Sequence, residues 1–168
     1  NALAASAAAV ELGASLQQVV EALEAFEGSS MRMQQVTGPG GSLILNDAYN
    51  ASPDSVAAAL AVLASASGRR IFVFGDMLEM GPEGEPAHRE VGRAAAEAGV
   101  TRLVAVGELA ALAAEEAGER GVQTAAVDSP EAAAELLRPE LREGDVVLVK
   151  GSRSMGLEHA VEGLADDN

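Results

Sequence analysis

The stretch SLILNDAYNASPDS, residues 42–55, joins two patterns end to end. Its first part carries the apolar run Leu43-Ile44-Leu45, which reads as a short buried strand. From Ser52-Pro53 onward the chain turns helical: Val56, Leu60 and Leu63 make one stripe, Ser52 can cap free N–H groups, and Pro53 suits the first helical position. Between the two lie Asn46, Asp47, Tyr49 and Asn50, a polar run in an alanine-rich chain. It sits where a strand ends and a helix is about to begin, and in an open α/β sheet that edge is where ligands bind.

The same unit recurs downstream. Strand-like runs at 71–75 (IFVFG), 102–106 (RLVAV), 123–127 (QTAAV) and 146–150 (VVLVK) alternate with helix-like runs at about 53–66, 86–98, 108–118, 130–138 and 155–165. Ser129-Pro130 repeats the Ser-Pro start. This alternation predicts a Rossmann-like α/β fold, a mostly parallel sheet with helices on both faces. Upstream, RMQQV and SLILN flank TGPGG, a turn signal that predicts a hairpin.

Residues 2–12 and 15–26 read as two helices, the second with Leu16, Val19, Leu23 and Phe26 at helical spacing. Gly13 ends the first and Ser15 caps the second. FEGSS reads as a linker, so a helical segment over 1–30 precedes an α/β unit over 31–168. The opening Asn1, followed directly by mid-helix residues, reads as a cut through a longer protein. The alanine-rich stretches fit close helix packing.

The 168 residues suffice for a domain with a real core. No apolar run approaches the ~20 residues of a membrane span, and no basic leader opens the chain. The absence of cysteine excludes disulfides and thiolate metal sites and fits a cytoplasmic location. A net charge of −15 offers no basic footprint for nucleic acid. Of the 11 basic residues only Lys150 is a lysine.

Three strand-to-helix loops stand out: Asp47–Ser52, the long GDMLEMGPEGE at 75–85, and KGSRSMG at 150–156. All follow carboxyl ends of expected parallel strands and so should open on one rim. Each has a plain reading. Asp47 and Asn50 could hydrogen-bond turn backbone. Asp76 and Glu79 could be solvated charges, and Lys150 could reach water or pair with either of them. His88 reads as a surface residue in a helix's first turn, and His159 as another near the C-terminus. Met77, Met80 and Met155 read as packing. The chain has no GxxxxGK(S/T) phosphate loop, no GxGxxG, no HExxH and no GxSxG. Any nucleotide it helps to use must be held largely by other residues.

NDAYNASPDS, VFGDMLEMGPEGEPAHREVG and GDVVLVKGSR together resemble the C-terminal domain of the Mur ligases, and among these the type that adds D-alanyl-D-alanine. The family pattern D-x-Y-N-A-x-P-x-S, then G-D-M-x-E-x-G with H-x-x-x-G, then K-G-S-R, is present in order. Sister ligases adding diaminopimelate or lysine tend to carry His where Asn50 stands. Met80 replaces a common Leu, and GSSMR departs from the usual approach to the arginine at 32.

The resemblance implies an ATP-dependent amide ligase of peptidoglycan precursor synthesis. ATP would phosphorylate the terminal carboxylate of a UDP-muramoyl tripeptide, and the amine of D-Ala-D-Ala would attack the acyl phosphate. The phosphate loop and the Mg²⁺ ligands would lie in a central domain, of which residues 1–30 would be the tail, with an N-terminal domain before it. By the same resemblance Asp47 would contact the ATP ribose, Arg32 would approach the γ-phosphate as the catalytic cation, and Asn1 would lie near the adenine. Tyr49 and Asn50 would line the nucleotide cleft. Lys150 and Arg153 are expected to hold the carboxylate of the incoming dipeptide, with Asp76 and Glu79 on the same substrate side. No nucleic-acid or membrane partner is expected. The rival readings are a receiver-like signalling domain, a sister ligase with another acceptor, and a folded fragment that binds nothing by itself. Against the receiver, the run at 102–106 leads into VAVGEL, with no phosphorylatable aspartate.

Overall fold

The computed structural model describes residues 2–26 and 29–166. Two helices, α1 (Ala2–Glu11) and α2 (Leu16–Glu24), come first. A hairpin follows, β1 (Gln34–Gly38) and β2 (Ser42–Asn46), and then α3 (Pro53–Ala64), β3 (Arg70–Gly75), α4 (Gly84–Glu97), β4 (Arg102–Val106), α5 (Glu108–Gly118), β5 (Gln123–Val127), α6 (Pro130–Leu137), β6 (Val146–Lys150) and α7 (Glu158–Leu164). The six strands form one sheet in the order β1-β2-β6-β3-β4-β5, antiparallel at β1–β2 and parallel elsewhere. The expected α/β class and the hairpin are both present.

Strand alternation divides the core into two layers. Leu45, Phe72, Phe74, Leu103, Ala105, Val146 and Leu148 face α3, α4 and α5. Ile44, Ile71, Val73, Val104, Val106, Val147 and Val149 face α6 and α7. Burial on both faces is why these strands read as nearly unbroken apolar runs. Val56, Leu60 and Leu63 form the buried stripe of α3, as their spacing predicts. Alanine serves close packing: Ala95, Ala110, Ala113 and Ala117 are buried between helices and sheet, and a Cβ added at Gly92 of α4 would lie 2.4 Å from the Ala113 carbonyl oxygen of α5.

Helix starts follow the capping residues. Ser15 accepts the Gln18 N–H while the Gln18 side chain accepts the Ser15 N–H, and Ser52 and Ser55 reciprocate in the same way. Ser129 accepts the Ala132 N–H at 3.2 Å. Two boundaries differ from the sequence reading. Helix α4 begins at Gly84, earlier than residue 86, and α7 begins at Glu158, because Gly156 is left-handed (φ 63°) and ends a short 3-10 turn over Arg153–Met155. Helices α1 and α2 bury none of their residues, and Leu3, Leu12, Leu16 and Phe26 are exposed.

At the amino ends of the central strands an ion pair closes the sheet. Arg69 donates to both oxygens of Asp145, at 3.0 and 2.7 Å, and to the Glu140 carbonyl at 2.8 Å, while the Arg142 N–H donates to Asp145 at 3.1 Å. Burial pushes the Asp145 carboxyl up. The hydrogen bonds from Arg69 and Arg142, with their charges, outweigh that and hold it below the ordinary carboxylate range. A carboxyl depressed in the fold stabilises above its unfolded pKa, and that contribution fades as pH falls through the lower folded value. Asp145→Asn should therefore cost roughly 2–3 kcal/mol near neutral pH, since it leaves Arg69 without its partner, and the gap to wild type should close in acid. Denaturant titrations at pH 7 and near pH 3 check this; a gap that stays constant or widens in acid refutes it.

Candidate functional site

The sheet register explains the polar run. Leu45 pairs with Leu148 in the parallel β2–β6 ladder, so Asp47 and Lys150, each two residues further on, fall side by side on the same face. Lys150 Nζ donates to Asp47 Oδ2 at 2.6 Å and to the Asn50 carbonyl at 2.9 Å. The lysine side chain is 3% exposed and the aspartate's 15%. The only lysine of the chain thus binds loop one to the end of β6. It pairs with neither Asp76 nor Glu79.

The other Asp47 oxygen, Oδ1, accepts the Met33 N–H at 3.2 Å, and the Tyr49 N–H donates to the Met31 carbonyl at 3.1 Å. These bonds strap the segment ahead of β1 onto loop one. Met31 and Met33 both hold left-handed backbone, at φ 59° and 53°, an uncommon state for side chains of this size. Arg32 lies between them, exposed, with its guanidinium carbon 4.0 Å from the centre of the Tyr49 ring.

Loop two is anchored from below. Asp76 Oδ1 accepts the Ala110 N–H at 2.7 Å and so caps α5, whose own N-cap residue, Gly107, has no side chain to do it. Gly107 is required there: its φ is 108°, and a Cβ would lie 2.6 Å from the Asp76 carboxylate. Asp76 is largely buried in this role, whereas Glu79 is exposed at φ 65°. His88, expected at the surface, is instead fully buried. Because α4 starts at Gly84, His88 falls in its second turn, and helical side chains lean toward the N-terminus, here into the loop. Its Nε2 accepts the Met77 N–H at 2.9 Å and its Nδ1–H donates to the Gly84 carbonyl at 2.6 Å. His159 is exposed beside Glu162, as expected. Met77 is a buried packing residue.

Loop three joins loop two through Ser152, whose Oγ accepts the Leu78 N–H at 2.8 Å and whose N–H donates to the Asp76 carbonyl at 3.0 Å. Arg153 extends outward and pairs with Glu158. That bond holds the Glu158 carboxyl below its usual range and raises the Arg153 guanidinium.

Two clefts result, with a common wall of Tyr49, Asn50, Ala51 and Ser52. One, of about 320 Å³, also takes Arg32, Asp47, Ser55 and Lys150. The other, of about 750 Å³, takes Leu78, Glu79, Met80, Ser152, Arg153 and Ser154. Both open at the carboxyl ends of β2, β6 and β3. There the chain leaves β6 toward one face while β2 and β3 are followed by helices on the other, the crevice where α/β sheets receive ligands. The expected Arg32, Asp47, Tyr49, Asn50 and Lys150 meet in the smaller cleft, and Glu79 and Arg153 in the larger. Asp76 lies behind the rim, and Asn1 is outside the described residues. Among the described residues no group of three or more His, Asp or Glu could hold a metal ion.

Nothing in the sequence marks the parts played by Ser152 and the left-handed methionines, and the sequence reading places His88 at the surface, whereas the structure buries it. The Lys150–Asp47 pair follows from the β2–β6 register, which residue type alone does not give.

Residues 31–153 match the family model described as Mur ligase, glutamate ligase domain. The whole chain is 41% identical to the UDP-N-acetylmuramoyl-tripeptide--D-alanyl-D-alanine ligase of Mycobacterium tuberculosis, and the match covers 38% of that protein. It superposes on a MurF crystal structure from Acinetobacter baumannii with a TM-score of 0.84 at 33% identity, over 96% of this chain and 36% of that one. With the MurF ligase of Thermotoga maritima, solved in complex with ADP, the TM-score is 0.74 at 26% identity, over 94% of this chain and 35% of that one. This chain therefore spans under two fifths of these relatives and belongs to the Mur ligase family.

Proposed function

We propose that this chain is the C-terminal part of an ATP-dependent amide ligase that joins D-alanyl-D-alanine to a UDP-muramoyl tripeptide during cytoplasmic peptidoglycan precursor synthesis. The observation that carries the reading is the pair of clefts with one shared wall. A ligase of this kind must bring an activated carboxyl group and an incoming amine together, and two adjoining compartments suit a nucleotide side and an acceptor side. The receiver-like alternative is not favoured: the position after β4 that would carry the phosphorylated aspartate is Gly107.

ATP phosphorylates the peptide carboxylate, and the dipeptide amine displaces phosphate from the acyl phosphate. In the smaller cleft Asp47 accepts hydroxyl donors of the ribose. A carboxylate has room for about four hydrogen bonds, and two are taken by Lys150 and Met33. Arg32 leaves the Tyr49 ring to meet the γ-phosphate, where a cation stabilises transferring charge. Tyr49 and Asn50 line the passage between the clefts. In the larger cleft Arg153 takes the dipeptide carboxylate, with Glu79 on the opposite loop. Lys150 was expected to share that clamp; its contacts support a role in holding Asp47. Mg²⁺ would require ligands beyond the described residues. Residues 1–30 belong to a preceding domain, a reading supported by the absence of any buried residue on α1 and α2 and by the bare apolar hollow of about 260 Å³ between them. No helix among the described residues is long and apolar enough to cross a membrane.

Three outcomes are expected. The purified 168-residue chain should show no ATP turnover, since its sequence has no phosphate loop; sustained phosphate release by contaminant-free chain refutes this. In the intact enzyme, Asp47→Asn should raise the KM for ATP about tenfold or more, the worth of a charged acceptor bond, and steady-state kinetics with unchanged ATP parameters would retire the ribose contact. The third measurement compares D-Ala-D-Ala with an analogue whose carboxylate is reduced to an alcohol. Wild type should strongly prefer the dipeptide, and Arg153→Met should lose most of that preference. Lys150→Met should keep the preference and fail toward ATP. Equal losses toward both acceptors in Arg153→Met would dismiss the clamp.

A further inference from the structure

His88 touches neither cleft, yet it is bonded at both ring nitrogens within the fold. Its partners fix its chemistry. The Met77 backbone N–H can only donate, so Nε2 presents its lone pair. The Gly84 carbonyl can only accept, so Nδ1 carries the proton. These two bonds select one arrangement of the ring, which packs beside Phe74 with centroids 5.6 Å apart.

What it holds is the start of the acceptor-side wall. The Met77 side chain is buried in the core, and its N–H ends on His88. The next N–H, that of Leu78, ends on Ser152 Oγ. Two successive amides are thus fixed by side chains from two elements, α4 and the loop after β6. The chain then passes into the left-handed Glu79 and the cleft-lining Leu78, Glu79 and Met80. Just before them the Asp76 carboxylate is turned toward α5 and the Asp76 carbonyl accepts the Ser152 N–H.

We propose that His88 is a positioning residue for acceptor binding: through the Met77 amide it sets the path of residues 77–80 and so the shape of the larger cleft. The inference rests on the reading that this cleft receives the acceptor. It differs from a general packing role in a testable way, because the two ring nitrogens can be imitated separately. In His88→Asn the side-chain amide takes the place of Nδ1, keeps the reach to Gly84 and falls short of Met77. In His88→Gln the amide oxygen takes the place of Nε2 and can accept the Met77 N–H.

The test is steady-state kinetics of the intact enzyme with both variants and Arg153→Met, each checked for folding by its thermal midpoint. His88→Asn should raise the KM for D-Ala-D-Ala about tenfold and leave the KM for ATP within about twofold. His88→Gln should recover most of the acceptor KM. Equal effects of Asn and Gln, parallel changes in both KM values, or failure of both variants to fold would reduce His88 to a structural residue and overturn the proposal. If Arg153→Met moves the acceptor KM while His88→Asn does not, the role of His88 alone falls. If neither moves it, the assignment of the cleft to the acceptor falls with it.

Discussion

The rim of this domain depends on one buried charge. Lys150 ends the central strand β6 with almost no access to water, and a buried ammonium must be matched by an anion and further acceptors. Asp47 and the Asn50 carbonyl provide them. The consequence spreads outward, since the carboxylate that neutralises Lys150 also receives the Met33 amide, and Tyr49, two residues on, holds the Met31 carbonyl and supports Arg32. Loop one, the strand beneath it and the segment entering β1 are therefore one electrostatically organised unit.

A second unit adjoins it, built from neutral groups. Asp76 excepted, loops two and three meet through Ser152, His88 and backbone amides. The two units touch at the common wall of the clefts. An ionic framework holds the side read as the nucleotide's, and a hydrogen-bonded framework of lower charge holds the side read as the acceptor's. Charge-altering substitutions should act on the two sides unequally for that reason, while salt screens the buried Lys150–Asp47 pair little.

The fold was legible because each element obeyed its own local rule. VVLVK and IFVFG are apolar on both faces, which only a doubly covered strand requires, and Ser52-Pro53 and Ser129-Pro130 mark helix starts chemically. Motif residues such as Asp47 and Arg153 were visible as polar insertions at strand ends. Their partners were hidden, because a partner is a property of register and loop path. Lys150 reads equally well as a free cation until β6 is placed beside β2. His88 reads as a surface residue until α4 is found to begin at Gly84, which turns the ring inward. The left-handed backbone at Met31 and Met33 has no signature in residue type at all, since methionine is not a residue that favours it.

The sheet has two edge strands among the described residues, β1 and β5, each only five residues long, and on β1 the Thr37 carbonyl already accepts the Asp166 N–H at 3.1 Å. Pro39 directly follows the first, and Pro130 comes soon after the second. Proline offers no amide hydrogen to a pairing strand. β1 is also bounded at its start by the left-handed Met33 and shows glutamine and threonine outward. A stray strand could thus pair along either edge for no more than a few residues before the ladder ends, a geometry that blunts edge-to-edge aggregation.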